Sequence, residues 1–217
     1  MDELPDCWPP EPHPELPLFA LPRFWLFPYV ILPVYIFEER YKEMIGDSLD
    51  CAGRIVLGTI LPGHEEDVMR EPPVHEIAGL GEIGRHERLD DGCYQVLLVG
   101  LRRVRIQETE SDRLYRKVLS EPALEIQPGD ALEESLRAQL LEAIEQRGGD
   151  SERIPSNVSV SHLSDLLILR MPVEPPIVQQ LFAELDVEQR AMASLKLHDQ
   201  LPELDPPGEE GDEPDPA

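Results

Sequence analysis

Lysine is scarce in this sequence, and its scarcity excludes one large class of site. The 217 residues contain three lysines, Lys42, Lys117 and Lys196, and none of them follows a glycine. A G-x-x-x-x-G-K-[ST] loop, which holds the phosphates of a bound nucleotide, requires that glycine–lysine pair. Ser194 lies two residues from Lys196 in a predicted helix, so the two side chains point apart and form no Ser–Lys peptidase dyad.

Cysteine is also rare, and no apolar run is long. Cys7, Cys51 and Cys93 are odd in number, widely spaced and without a C-x-x-C pair, so they predict neither a disulfide framework nor a zinc site. The apolar run over residues 25–37 is short and broken by prolines, which excludes it as a membrane span. Since the N-terminus has no signal-peptide pattern, we expect a cytoplasmic protein with no membrane partner.

Histidine is present but not in a metal-binding arrangement. His64, His75 and His86 lie eleven residues apart, each beside acidic residues. Zinc ligands usually come in tighter pairs such as H-x-x-x-H. We interpret these as loop histidines among solvated acids and predict no metal and no cofactor.

Positive charge is in short supply overall. There are 44 Asp and Glu against 19 Lys and Arg, giving a formal net charge of −25. Five of these acids lie in residues 1–17 and seven in residues 203–217, which leaves 32 acids against 19 bases between them. Phosphate binding depends on Lys and Arg, so the balance excludes DNA and disfavours RNA. The stretch Arg102-Arg103-Val104-Arg105 is followed at once by acids, and we interpret it as a solvated face.

The most informative segment that is present is the run from Pro17 to Tyr41. Pro22, Pro28 and Pro33 interrupt it, and proline in a sheet is confined to edges, strand starts and bulges. The run therefore predicts short, bent strands that lead into a helix from Glu38 to Leu49. The residues expected on its buried face, spaced four apart, are Phe37, Tyr41, Ile45 and Leu49.

The rest of the chain divides into a β-rich part and a helical part. Further strands are predicted at 54–61, 77–89, 93–106 and 114–126, with a tight turn at Asp90-Asp91-Gly92 and an exposed loop over 62–73. Four helices follow. The first is capped by Asp130 with Glu133 and the fourth by Asp186 with Gln189, while the third opens with Pro175-Pro176. The predicted domains are an acidic, proline-rich tail (1–15), a β domain (16–127), a helical bundle (128–203) and a second acidic tail (204–217).

One apparent nucleotide motif fails on its context. Gly79-Leu80-Gly81-Glu82-Ile83-Gly84 fits G-x-G-x-x-G, whose mechanism needs a helix directly after the motif. A β-run follows here instead. We interpret these glycines as positions where a twisted strand bends or approaches a neighbour.

Three segments together resemble the N-terminal domain of the Lon protease family. They are the opening Leu18-Phe19-x-Leu21-Pro22 to Glu38-x-Arg40-Tyr41, the segment Gly79 to Ile106, and the segment Leu163 to Arg190 with Leu181-Phe182-Ala183-Glu184-Leu185-Asp186. The sequence departs from the family at Tyr29, where glycine is common, and at Tyr35, where histidine is frequent. The resemblance covers residues 16–201.

The resemblance implies an α+β fold in which a PUA-like β pseudobarrel is followed by a C-terminal α-helical bundle. It also implies a role in recognising and holding substrate polypeptide, without chemistry of its own. We therefore expect this chain to be a stand-alone, non-catalytic recognition module in proteolysis or protein quality control. The expected partners are unfolded or apolar polypeptide segments, with a separate protease or chaperone as a further partner. We expect this chain to hydrolyse neither ATP nor protein.

Candidate substrate-binding residues lie in two apolar places: Phe24, Trp25 and Tyr29 in the opening segment, and Val68 and Met69 in the long loop. Trp and Tyr are good low-entropy anchors, and methionine adapts to varied partners. Alternation would put Trp25 and Tyr29 on the same side as a core-facing Phe27 if the segment is extended, so core packing is the competing interpretation for these aromatic residues.

Two other functions stay open at this point. PUA-like barrels often serve RNA, so an RNA-binding module is the alternative, although acidity and sparse lysine count against it. An enzyme with an unrecognised site is the third. A basic groove would favour RNA, an apolar groove would favour polypeptide, and a closed pocket with converging histidines and carboxylates would favour catalysis.

Overall fold

A computed structural model describes residues 15–202 of the chain, apart from the side chains of residues 67–69. The predicted acidic tails and Cys7 lie outside these residues, except that Glu15 opens the first strand. In chain order the elements are β1 (Glu15–Leu21), β2 (Ile31–Ile36), α1 (Glu39–Leu49), β3 (Arg54–Thr59), a 3-10 helix (Glu65–Arg70), β4 (Ile77–Arg88), β5 (Tyr94–Thr109), β6 (Arg116–Pro122), α2 (Asp130–Gln146), a 3-10 helix (Ser151–Arg153), α3 (Val160–Ile168), α4 (Pro175–Ala183) and α5 (Val187–Gln200).

The chain forms two compact units. Among the described residues, the first contains 15–125 together with Glu174–Leu185, and the second contains Ile126–Val173 together with 186–202. Helix α4, which the sequence assigned to the helical part, therefore belongs to the same unit as the sheet. The boundaries predicted from the sequence, 16–127 for the β domain and 128–203 for the helical bundle, stay a prediction.

The first unit is built on a six-stranded sheet in the order β2-β5-β4-β3-β1-β6. Strand β6 pairs again with β5, so β5, β4, β3, β1 and β6 form a closed circuit and β2 is added outside β5. Only β1 and β3 pair in parallel among the described strands. The fold is thus α+β, and the predicted β-hairpin at residues 90–92 is confirmed.

Core clusters pack on both faces of the sheet in this unit, although one face of the outer strand β2 stays exposed. One core cluster takes a residue from each strand of the circuit: Leu18, Val56, Leu80, Val104 and Val118. A second cluster joins the buried face of α1 to the sheet and contains Phe19, Ile36, Tyr41, Met44 and Ile45. Neighbouring residues of β1 thus enter different clusters, as the period-2 alternation of a strand requires.

Two local predictions about helices in this unit are wrong. Phe37, expected on the buried face of α1, is 61% exposed because it precedes the first helical turn, which begins after the N-cap Glu38. Ile177 of α4, expected in the core, is also exposed, whereas Leu181 and Phe182 are buried as predicted.

The second unit packs α2, α3 and α5 around buried leucines such as Leu140, Leu163 and Leu167. Asp186 caps α5 as predicted, since its side chain accepts a hydrogen bond from Gln189 N. The predicted cap at Asp130 is wrong: Gly129 is the N-cap of α2 and no side chain caps it. No helix in the described part of the chain is long and apolar enough to cross a membrane.

Candidate functional site

Residues 22–30, which join β1 to β2, form what we call the crossing segment. It contains two turns, one at Pro22-Arg23 and one at Pro28-Tyr29. In both turns the residue after the proline has a positive φ, 60° at Arg23 and 64° at Tyr29. At the second turn Val30 N donates to Phe27 O at 3.2 Å. Proline followed by a positive φ is the geometry of a type II turn. A non-glycine residue pays on the order of 1 kcal/mol or more for it.

The crossing segment lies directly against the backbone of β4 and β5. A Cβ added at Gly79 would overlap the carbonyl oxygen of Leu26, and one at Gly100 would overlap that of Phe27. Leu26 and Phe27 are themselves fully buried. Glycine at these two strand positions is therefore what lets the segment cross the sheet, as the interpretation of the glycine-rich motif predicted for Gly79.

Side-chain contacts with α4 hold the same segment. Trp25 Nε1 donates to Gln179 Oε1 at 2.6 Å, and the rings of Phe27 and Phe182 meet edge to face at 5.0 Å. The guanidinium of Arg103 lies 4.9 Å from the Phe182 ring centroid and donates to Phe182 O at 2.7 Å. Arg103 is buried, so its assignment to a solvated face is wrong. Burial is possible because Arg103 also forms an ion pair with Glu125 at 3.2 Å, so the buried cation has a charged partner as well as the aromatic rings and the carbonyl.

The predicted site residues have different surroundings. Phe24 is 47% exposed and Tyr29 is 52% exposed, whereas Trp25 is half-buried by its contact with α4. An extended segment would have put Tyr29 on the buried side with Phe27. Tyr29 is exposed instead, because the segment turns at Pro28 and is not extended there. The loop residues Val68 and Met69 fall in the 3-10 helix Glu65–Arg70, but their side chains lie outside the described residues.

A second group of exposed apolar residues follows directly on the crossing segment, and sequence reasoning missed it. We call it the edge strip: Ile31, Pro33, Tyr35 and Phe37, with Leu97 directly across from Pro33 on β5. Ile31, Tyr35 and Phe37 are each more than half exposed, and the Tyr35 and Phe37 rings stack at 6.2 Å. The other face of β2, with Ile36, turns inward. No signal in the sequence identified this open face, because every residue of β2 is apolar and such a strand can equally be buried on both faces.

The edge strip lies on an open strand edge. Among the described residues β2 pairs with β5 alone. Gly100 N donates to Val30 O at 2.8 Å, and hydrogen-bonded pairs alternate along an antiparallel ladder. The backbone groups of Ile31, Pro33 and Tyr35 therefore point away from β5. Pro33 offers no donor at the middle of this edge, which limits continuous pairing with another strand.

The charges near the edge strip are few and mixed. A groove of about 440 Å³ is lined by residues of the edge strip, among them Tyr35 and Leu97, and by Arg85, His86 and Glu87 of β4. A hydrogen bond with the Cys93 thiol, desolvation and the Asp91 carboxylate together raise the pKa of Tyr35 to about 12. The strip itself consists of apolar and aromatic side chains, and at its border the Asp91 carboxylate accepts a hydrogen bond from the Tyr35 hydroxyl at 3.4 Å.

In the part of the chain that the structure describes, the charged residues that line the groove beside the edge strip are of both signs: Arg85 with His86, and Glu87. On β5, Arg103 forms an ion pair with Glu125, and Arg105 forms ion pairs with Glu76 and Glu121. No group of three or more His, Cys, Asp or Glu in residues 15–202 could hold a metal ion. The arrangement offers hydrophobic contact and open backbone groups.

Comparison with known proteins gives one consistent result. The family model described as the ATP-dependent protease La (LON) substrate-binding domain matches residues 15–200. The Lon protease of Desulforamulus reducens is 26% identical over 196 residues, which cover 88% of this chain and 23% of that protein. The Lon protease of Flavobacterium johnsoniae is 25% identical over 200 residues, with 84% and 23% covered.

Two solved structures share the fold. The N-terminal domain of the Mycobacterium avium complex Lon protease has a TM-score of 0.66 at 15% identity and covers 86% of this chain and 98% of its own. The Lon N-terminal domain protein from Xanthomonas campestris has a TM-score of 0.62 at 20% identity, with 84% and 98% covered. The chain spans about a quarter of the length of the curated relatives that it matches. It belongs to the Lon substrate-binding domain family.

Proposed function

We propose that this chain is a non-catalytic module that recognises unfolded or apolar polypeptide, in proteolysis or protein quality control. The edge strip carries the proposal, because it is an apolar surface left open on a strand edge. Family membership supports the type of ligand. Exposed apolar patches on soluble proteins often mark interaction sites.

The binding surface in this proposal joins the edge strip to the exposed part of the crossing segment. Phe24 and Tyr29 contribute aromatic faces, and Val68 and Met69 of the loop add further contacts. Trp25 contributes less to ligand binding than the sequence suggested, since its indole N–H is committed to Gln179. The crossing segment packs closely on Gly79 and Gly100, which holds its backbone in place before a ligand arrives. Little conformational entropy of the segment is therefore lost on binding.

The same proposal includes the architecture and setting that the sequence predicted. The closed circuit of five strands supports a PUA-like pseudobarrel, and the packing of α2, α3 and α5 supports a helical bundle. The setting is cytoplasmic, and a separate protease or chaperone receives the bound polypeptide. The relatives named above are proteases, which supports a place for this chain in proteolysis.

The test is a titration with a reduced, carbamidomethylated model protein, whose blocked cysteines carry no charge, and with single-stranded RNA, at low and moderate salt. We expect the polypeptide to bind with little salt dependence, because apolar burial drives the contact. The double variant Tyr35→Ser/Phe37→Ser should weaken binding about tenfold or more, since a loss of about 1.4 kcal/mol corresponds to a factor of ten.

The matched control is Leu114→Ser. Leu114 is 67% exposed and lies between β5 and β6, outside the edge strip, so this variant should bind as wild type does. RNA binding that fades steeply with salt, without polypeptide binding, would replace the proposal by the RNA-binding alternative.

A further inference from the structure

We propose that the bound polypeptide adds to the sheet as a further, antiparallel strand along the open edge of β2. The ligand is an extended segment of about five residues, free of proline, in which apolar and polar side chains alternate. This inference rests on the proposed function and adds the backbone conformation and the side-chain pattern that the site selects.

The pairing of β2 with β5 leaves one set of backbone groups facing outward. The two strands are antiparallel, and Gly100 N donates to Val30 O. Along such a ladder, pairs of residues that are hydrogen-bonded to each other alternate with pairs that are not. Ile31, Pro33 and Tyr35 belong to the second kind, so their backbone groups point away from β5. Among the described residues no other strand pairs with β2.

The position of the proline agrees with this direction. Proline has no N–H, so a strand accepts it where the ladder requires no hydrogen bond from that residue. Pro33 lies between Ile31 and Tyr35 in an unbroken register, and its ring stands where a third N–H would face the open edge. The edge therefore offers the N–H groups of Ile31 and Tyr35 as donors, and the carbonyl oxygens of all three residues as acceptors.

The side chains of the same three residues lie on the exposed face of β2. Ile31, Pro33 and Tyr35 are exposed, whereas Leu32 and Val34 between them are partly buried against a core cluster. In a strand paired antiparallel with this edge, the residues that bond to it direct their side chains to that same face. A ligand with alternating side chains therefore brings its apolar groups and its N–H groups to the edge together.

Recognition through the backbone favours unfolded chains over folded proteins. Buried N–H and C=O groups of a folded protein are already paired within its own helices and sheets, whereas an unfolded chain can offer these groups at successive residues. Pro33 divides the open edge into two short parts, which opposes continuous pairing between copies of this chain. The edge thus suits a short segment of an unfolded polypeptide.

The experiment measures the Kd of three labelled peptides for the full chain at moderate salt. Each peptide has capped ends and consists of three valines that alternate with four serines. One is unmodified, one is N-methylated at its three valines, and the matched control is N-methylated at three of its serines.

We expect N-methylation of the valines to raise the Kd about tenfold or more, because it removes the donors to the carbonyl oxygens of the edge. The N–H groups of the serines point away from β2 in the same arrangement. N-methylation of the serines should therefore leave the Kd within about threefold of that of the unmodified peptide.

The variant Pro33→Val tests the same inference from the side of the protein. It adds an N–H at the middle of the open edge, keeps an apolar side chain there and removes no hydrogen bond to β5. Strand addition predicts that the unmodified peptide binds this variant with a Kd about two- to fivefold lower than that of wild type. A Kd equal to or higher than that of wild type would overturn the inference.

The outcomes distinguish this inference from the proposed function. If the unmodified peptide binds and the two N-methylated peptides have equal Kd values, or only the N-methylserine peptide loses affinity, antiparallel strand addition is wrong and the proposed function stands. The same holds if a reduced, carbamidomethylated model protein binds and the unmodified peptide does not. If neither binds to wild type, the proposed function and this inference fall together.

Discussion

His162 shows how one half-buried side chain makes the stability of the protein depend on pH. It lies in the first turn of α3, two residues after the start of the helix, and its backbone N–H is capped by Ser159. Burial lowers the pKa of the imidazole below its ordinary value of 6.5, while the nearby Asp165 carboxylate opposes this shift. The folded protein therefore favours the neutral imidazole.

The sign of the pH effect follows directly. Between the folded pKa and 6.5 the unfolded chain binds more protons at His162 than the folded chain does, so the free energy of unfolding falls as the pH is lowered through this window. Burial also lowers the pKa of His75, so this histidine contributes to stability with the same sign. We expect urea unfolding curves to show a loss of stability from pH 7 to about pH 5.

A variant comparison isolates the contribution of His162. His162→Gln should flatten part of the slope and leave the part due to His75. Equal slopes for His162→Gln and wild type would show that this imidazole has the same proton affinity in both states.

At the scale of elements, the crossing segment depends on glycines that are distant in sequence. Gly100→Ala would drive a Cβ into the carbonyl oxygen of Phe27, and a backbone atom cannot move aside without displacing the segment. We expect a loss of about 2–3 kcal/mol or more in the free energy of unfolding, as for other overpacked sites.

Gly46 provides the opposite case for the same substitution. It lies within α1, and a Cβ at this position meets no atom within 4 Å. Gly46→Ala should therefore raise the free energy of unfolding by about 1 kcal/mol through helix propensity. Denaturant unfolding of both variants tests the account, which fails if Gly100→Ala is as stable as wild type.

The sequence was informative where local chemistry determines an element. The Asp-Gly pair at 91–92 correctly predicted the β4–β5 hairpin, Asp186 the N-cap of α5, and Pro175-Pro176 the start of α4. These features depend on residues that are neighbours in the chain.

The features that sequence reasoning missed depend on contacts between distant residues. The place of α4 beside the sheet rests on Phe182 meeting Phe27 and Arg103, which lie far apart in the chain. The open face of β2 could not be inferred from its composition, since an apolar strand gives no sign of which face remains uncovered. Of the predicted site, Phe24 and Tyr29 are exposed, and Ile31, Tyr35 and Phe37 were absent from it.

At the scale of the whole molecule, net charge influences what can reach the edge strip. The charge of −25 makes copies of the chain repel one another and disfavours polyanions. An exposed apolar surface on such a molecule is protected against self-association while it remains open to uncharged or cationic polypeptide. Salt screens the repulsion but leaves apolar burial intact.

The central claim is that unfolded polypeptide binds at the edge strip and the adjoining turn. Hydrogen–deuterium exchange of the full chain, alone and with an excess of a reduced, carbamidomethylated model protein at moderate salt, tests it most directly. The amides of Ile31 and Tyr35 face the open edge. Proteolytic fragments of this chain that cover residues 29–37 should therefore show slower exchange when the model protein is bound. Unchanged exchange over residues 29–37, together with protection elsewhere, for example in α2, would contradict the account.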